Sequence, residues 1–185
     1  AVALGAQDLF KNLISGLMIL VEKRFQIDDV IKVPGHVEGV VEQIGFRSTL
    51  VRKFDSTPIS IPNHIFSENP TLNYSSRYFR RISWVIGLVY HTDIEKLKNI
   101  TEDIKDYLNS SENYVKDQNF KSYVYIEKFN ESSIDIYLAT FVNTTDWEIY
   151  LKIKEELSFE IKKIIKKNNS DFAYPSRTIY IEKNE

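Results

Sequence analysis

The sequence predicts an α+β chain in three successive parts: a leading helix, a small β-barrel-like domain and a βαββαβ domain. Three patterns in its 185 residues carry that prediction. Apolar residues first recur every three to four positions; from Ile27 short Val-, Ile- and Thr-rich runs are cut by Pro and Gly; from Arg80 strand-like and helix-like stretches alternate. Hydrophobic residues make up 43% of the chain, enough to build packed cores.

Residues 2–22 contain no Pro, and Leu9, Phe10, Leu13, Ile14, Leu17, Leu20 and Val21 form a stripe at helical spacing. The opposite face carries Gln7, Asp8, Lys11, Asn12 and Ser15. Ala1, Ala3, Gly5 and Ala6 are small enough for other helix backbones to approach closely, as in membrane-embedded helix contacts. Such a helix reaches ~30 Å, about the thickness of a bilayer core. The plain alternative is a helix that packs on its own domain. The longest unbroken apolar run, Leu17 to Val21, is far short of the ~20 residues of a lipid-exposed span, so nothing here crosses a membrane unaided. An opening Ala-Val-Ala-Leu without an initiator Met is expected of a piece of a longer protein.

Pro34-Gly35, Gly39, Gly45, Asp55-Ser56 and Pro58 then punctuate strands read at 29–33, 37–44, 46–54 and 58–61. A fifth strand near 72–75 would let the sheet close on itself and hide its edges. The domains are therefore 1–25, 26–77 and 78–185. In the last of these the order is strand 80–90, helix 93–109, strand 120–129, strand 133–142, helix 146–167 and strand 178–182, the ferredoxin-like arrangement. Capping boxes starting at Thr92 and Thr145, with Glu95 and Glu148 three residues on, open the two helices. Lys162, Lys163, Lys166 and Lys167 close the second, where cations suit the helix dipole; the competing reading is a basic binding patch.

Several chemistries are excluded. With 24 basic and 26 acidic residues the net charge is -2, which gives no electrostatic case for nucleic acid. Tyr123, Tyr125 and Phe129 could be imagined as stacking platforms for RNA. The 133–142 strand, however, has neither the basic residue nor the Gly of an RNA-recognition signature, and the aromatics are read as core. Zero cysteines rule out disulfides and thiol chemistry. His36, His64 and His91 are isolated near predicted turns, so no metal is expected. No phosphate-cradling Gly loop or nucleophile elbow occurs; neither a cofactor nor catalytic residues are expected, and the protein is not read as an enzyme.

The run Ala3-Leu4-Gly5-Ala6-Gln7-Asp8 followed by Asn12-Leu13-Ile14-Ser15-Gly16-Leu17 resembles the pore-lining third helix of the mechanosensitive channel of small conductance (MscS) family. Gly39-Val40-Val41-Glu42-Gln43-Ile44-Gly45-Phe46-Arg47-Ser48-Thr49 and Ile61-Pro62-Asn63 are similar to the family's β-domain, with its Gly-Val strand, Thr-bearing return strand and IPN turn. The segment Phe172-Ala173-Tyr174-Pro175-Ser176-Arg177-Thr178 is similar to its C-terminal segment, so the likeness spans nearly the whole chain.

This resemblance implies a pore-lining transmembrane helix over 1–25 whose preceding membrane helices lie outside the chain, an Sm-like β-domain, and the ferredoxin-like domain. It implies a homoheptamer in the inner (plasma) membrane, multi-pass, with the C-terminal domains forming a cytoplasmic vestibule. Membrane tension would open it, releasing ions and small solutes under hypoosmotic shock. The alternative is a soluble ring-forming scaffold or interaction module without conduction. By resemblance Leu4 is the constriction, where an apolar ring blocks ions by dewetting, and Ala3, Gly5 and Ala6 are the helix-packing residues. Gln7, Asp8, Lys11 and Asn12 are possible pore- or portal-facing polar residues. Where some members have Gly this chain has Asp8, and the family's Arg-Pro-Phe reads Lys23-Arg24-Phe25. Gly16 is then the candidate bending point, or else a close packing contact.

Overall fold

The computed structural model describes residues 2–175, and of residues 2–6 only the backbone. The chain divides between Arg77 and Tyr78 into two compact units.

The first unit opens with α1 (Val2–Glu22), the helix that the spacing predicts. Strands β1 (Val30–Val33), β2 (Val37–Ile44), β3 (Ser48–Lys53) and β4 (Pro58–Pro62) follow as an antiparallel meander. Alternation places Ile31, Val33, Val37, Val41, Val51 and Ile61 in the core with Phe66, while Glu38, Glu42 and Arg52 face outward, where Glu42 and Arg52 pair across the strands. Gly39 is obligatory at its place, because a Cβ there would run into the Arg52 carbonyl.

Two features depart from the sequence reading. A short helix, α2 (Asn63–Glu68), follows β4 directly, where only a turn is expected; six residues are too few to show a period. Strand β5 (Leu72–Asn73) pairs with β1 and not with β4, so the sheet order is β4-β3-β2-β1-β5 and closure through β5 is not made.

The second unit holds β6 (Arg80–Leu88), α3 (Ile94–Ser110), β7 (Tyr123–Phe129), β8 (Ile134–Val142) and α4 (Trp147–Lys167), with sheet order β6-β8-β7, all antiparallel. Ile100, Ile104, Leu157 and Ile161 of the helices pack on Ile82, Ile86, Ile136 and Leu138 of the sheet. The strand read at 178–182 lies outside the described residues; before it, Phe172 bridges to Leu88 and Ala173 N–H donates to the Gly87 carbonyl at 2.9 Å. Lys163 pairs with Glu160 and Lys167 with Asp103 of α3, both near 3 Å, and Lys166 and Lys167 lie in the last turn of α4.

Neither capping box forms: the N-caps lie one residue on, which puts Lys96 and Ile149 where a box needs Glu or Gln. Asp93 and Asp146 are the caps, and Asp146 Oδ1 accepts from Ile149 N–H at 2.8 Å. Thr92 instead donates its hydroxyl hydrogen to the Val89 carbonyl. At α4 the carboxylate next to Thr145 takes the cap, since Asp caps as well as or better than Thr, whereas the Asp93 side chain makes no cap hydrogen bond. Tyr123, Tyr125 and Phe129 are exposed and not core residues; of β7 only Val124 is buried.

Candidate functional site

The apolar stripe of α1 does not face the β-domain. Leu17 is 60% exposed and Val21 67%, whereas Asn12 and Ser15 are each 7% exposed. The helix docks through Asn12, Ser15, Gly16 and Ile19 onto α2 and the turn between β2 and β3, and its greasy side remains outward. Only Ile19 of this face joins the core, next to Phe25, which meets Phe66 with ring centroids 5.0 Å apart.

Gly16 fits this position because it has no side chain. A Cβ here would stand 2.5 Å from Asn63 Nδ2 and 2.9 Å from the Phe46 carbonyl oxygen. The helix runs unbroken through Gly16, so in this conformation the residue serves close packing.

Beneath Gly16 lies Asn63, fully buried at the entry to α2. Its Nδ2 donates to the Gly45 and Phe46 carbonyls at 2.9 and 3.0 Å, and its Oδ1 accepts from the Thr49 hydroxyl at 2.9 Å. The carboxamide thus ties β3, the β2–β3 turn and α2 into one block, with both its nitrogen and its oxygen engaged.

Asn12 supplies the link from α1. Its Nδ2 donates to the Asp8 carbonyl at 2.9 Å, and its Oδ1 accepts from His64 N–H at 3.1 Å. Pro62, the residue before α2, has no side chain able to cap, so Asn12 caps α2 from another helix. His64 Nδ1 lies 3.1 Å from the same Oδ1. Lys11 makes an ion pair with Glu68 at the far end of α2, and this pairing holds the Glu68 carboxyl below the usual carboxylate range.

The structure therefore moves Asn12 out of the pore- or portal-facing set, since it turns onto α2, and leaves Gln7, Asp8 and Lys11 exposed. The side chains of Ala3, Leu4, Gly5 and Ala6 fall outside the described residues. His64 sits in a helix and faces Asn12, not in a loop. Thr49, Asn63 and His64 were missed as a working group, although Thr49 and the IPN turn are in the sequence motifs. Their meeting under Gly16 depends on α2, which has no sequence signal. Among the described residues no group of three His, Cys, Asp or Glu could hold a metal. What the arrangement can do is mechanical: it fixes a helix to a β-domain through directional polar contacts.

Two family models match the chain, the mechanosensitive ion channel β-domain over residues 8–76 and the C-terminal part of the mechanosensitive ion channel MscS over residues 82–172. The chain belongs to the MscS family. The β-domain match begins at Asp8, so it takes in the half of α1 that docks. An uncharacterized MscS family protein of Aquifex aeolicus is 43% identical over 183 residues, covering 99% of this chain and 49% of that protein. The small-conductance mechanosensitive channel MscMJ of Methanocaldococcus jannaschii is 35% identical, with 99% and 51% covered. Among solved structures, closed-state Helicobacter pylori MscS superposes with a TM-score of 0.81 at 26% identity, covering 100% of this chain and 70% of that one. Arabidopsis thaliana MSL1 gives 0.87 at 26% identity, with 95% and 62% covered. The chain spans about half the length of the curated MscS relatives it matches. Among the described residues no helix is long and apolar enough to cross a membrane.

Proposed function

We propose that this chain forms the pore-end helix and intracellular part of a channel opened by membrane tension, assembled as a homoheptamer in the plasma membrane. Ions and small solutes would leave through it under hypoosmotic shock. The observation that carries the reading is the reversed polarity of α1, which spends its polar face on the β-domain and leaves an apolar stripe for lipid and neighbouring copies. The names of the relatives favour conduction over a scaffold without a pore.

In this reading the part of α1 before Asp8 continues a pore helix, with Leu4 as the apolar constriction and Ala3, Gly5 and Ala6 at helix contacts. The docked half, from Asn12 onward, stays with the β-domain near the membrane surface. Tension favours the conformation of larger area in the bilayer and acts only through the difference between two states. Widening of the Leu4 ring lets it wet.

The test is current recording from excised liposome patches under graded suction, with the full-length protein reconstituted. Leu4→Ser should make the closed ring easier to hydrate and lower the opening tension. An unchanged threshold removes Leu4 as the gate, and silence of well-inserted protein up to membrane rupture removes the tension-gated reading.

A further inference from the structure

Away from the joint that Asn12 and Asn63 make, a third carboxamide, at the end of β5, uses both its donors and both its acceptor positions. Asn73 Nδ2 donates to Asp29 Oδ2 at 2.8 Å and to the Arg24 carbonyl at 3.2 Å, and its Oδ1 accepts from the backbone N–H groups of Ser75 and Ser76 at 3.0 and 3.2 Å. Exchanging the two ends would set acceptor on acceptor and donor on donor at every contact, so the orientation is fixed. The nitrogen faces the elbow between α1 and β1. The oxygen faces the stretch 74–77 with which the chain leaves the first unit.

The elbow is held against its own preference. Lys23 and Asp28 have φ of 51° and 72°, left-handed values that residues other than Gly rarely adopt and that persist only where neighbours hold them. Asp29 Oδ2 accepts from the Gln26 N–H at 2.8 Å as well as from Asn73, and the Asp28 N–H donates to the Val41 carbonyl at 2.8 Å. The stretch on the other side is folded too: Arg77 Nε donates to the Tyr74 carbonyl at 2.7 Å, and its guanidinium stands 4.5 Å from the centre of the Tyr74 ring. Strand β1 reaches this stretch through Val30, whose N–H donates to Ser75 Oγ at 3.0 Å; the elbow reaches it through Asn73.

We propose that Asn73 is a positioning residue that couples the exit of α1 to the end of the first unit. A change in the direction in which the chain leaves α1 moves the Asp29 carboxylate and the Arg24 carbonyl, and the rigid amide plane passes that displacement to Ser75 and Ser76. The coupling rests on these bonds; its part in gating rests on the channel reading.

Amide hydrogen exchange over residues 23–30 and 74–77, measured on the full-length protein in lipid nanodiscs, tests it. Asp29→Ala leaves Ser75, Ser76 and their acceptor in place, yet exchange at 74–77 should rise about two- to tenfold, the worth of one hydrogen bond. Asn73→Asp keeps an acceptor for Ser75 and Ser76 but sets a carboxylate against that of Asp29, and should raise exchange in both stretches. Adding Asp29→Asn puts a donor on the opposite side and should restore protection in both. Exchange at 74–77 that stays at the wild-type level in Asp29→Ala, or is not restored in the double variant, overturns the coupling. Patch recordings under graded suction on the same variants in liposomes separate the two readings. An opening tension that shifts in Asn73→Asp and returns in the double variant, at unchanged single-channel conductance, supports the role in gating, and an unmoved threshold removes that role. Coupled exchange without tension-gated current keeps the coupling and removes the channel.

Discussion

Substituting Gly16 by Ala sets two effects of known sign against each other. In a free helix the change stabilises by about 1 kcal/mol, because Ala is the better helix former. Here the new methyl would stand 2.5 Å from Asn63 Nδ2, 2.9 Å from the Phe46 carbonyl oxygen and 3.3 Å from that of Gly45. Two of these atoms are backbone, and the third is held by its bonds to them and by Thr49 on the same carboxamide. Either α1 lifts from the β-domain or Asn63 gives up buried hydrogen bonds, at about 1–3 kcal/mol for overpacking and a similar cost for a buried polar group left unpaired. The expected net effect is a loss of roughly 1–3 kcal/mol. Urea unfolding of the purified chain followed by far-UV circular dichroism reads it. Tryptophan emission is the internal control, because both tryptophans, Trp84 and Trp147, lie in the second unit and should report an unchanged midpoint. Adding Asn63→Ala should show coupling of the order of 1 kcal/mol in a double-mutant cycle, as expected of residues in contact. Stabilisation of Gly16→Ala by about 1 kcal/mol, as in a free helix, would refute the packing role and return Gly16 to a bending point.

Asp146→Ala should cost about 1 kcal/mol through the lost cap bond to Ile149, and Thr145→Ala far less, with urea midpoints of the second unit as the measure. Tyr114 is 2% exposed, its hydroxyl has no hydrogen-bond partner among the described residues, and burial pushes the phenol well above its usual range. Tyr114→Phe should therefore be neutral or stabilise by up to ~1 kcal/mol, and a clear loss in melting temperature would disprove this account of the hydroxyl. The Asp55 carboxyl is held down to about 2, first by the Thr57 backbone N–H and then by Lys53. A lowered value means its contribution is complete above the ordinary carboxylate range and fades as pH falls toward 2. Asp55→Asn should therefore flatten unfolding free energy against pH between about 4 and 2, measured by acid-titrated denaturation.

Most of the fold was legible because its signals are periodic and long. A helix of 21 residues and strands such as β2 and β8 announce themselves by spacing. The failures are local and have physical causes. At the helix starts two neighbouring residues can cap, and pattern alone does not choose between Thr145 and Asp146. For β7 the aromatic side chains fit either face of a strand, and its pattern does not tell which residues are covered; only Val124 is. The joint was half legible. Thr49 and Asn63 stand in the motifs that suggested the family, but a sequence does not say that a carboxamide at position 63 will bond a hydroxyl at 49 and brace a glycine at 16. Which face of α1 docks was not legible at all, since amphipathic spacing sends the apolar side inward by default.

That inversion is also the strongest physical reason to place α1 at a membrane. Leu9, Phe10, Ile14, Leu17, Leu20 and Val21 are all about half exposed or more. Full burial of such side chains is worth about 1.5–3 kcal/mol each, so a free-standing domain forgoes several kcal/mol by turning them outward. Lipid and adjacent copies of the helix are surroundings in which that term is recovered. The polar side then has a different task. Apolar contacts are non-directional and let a helix slide, whereas the bonds of Asn12 to His64 and of Asn63 to Thr49 exist at one geometry. A helix held in that way keeps a defined angle. A two-state response to tension needs such a discrete contact, because a ligand or force shifts only the balance between distinct conformations.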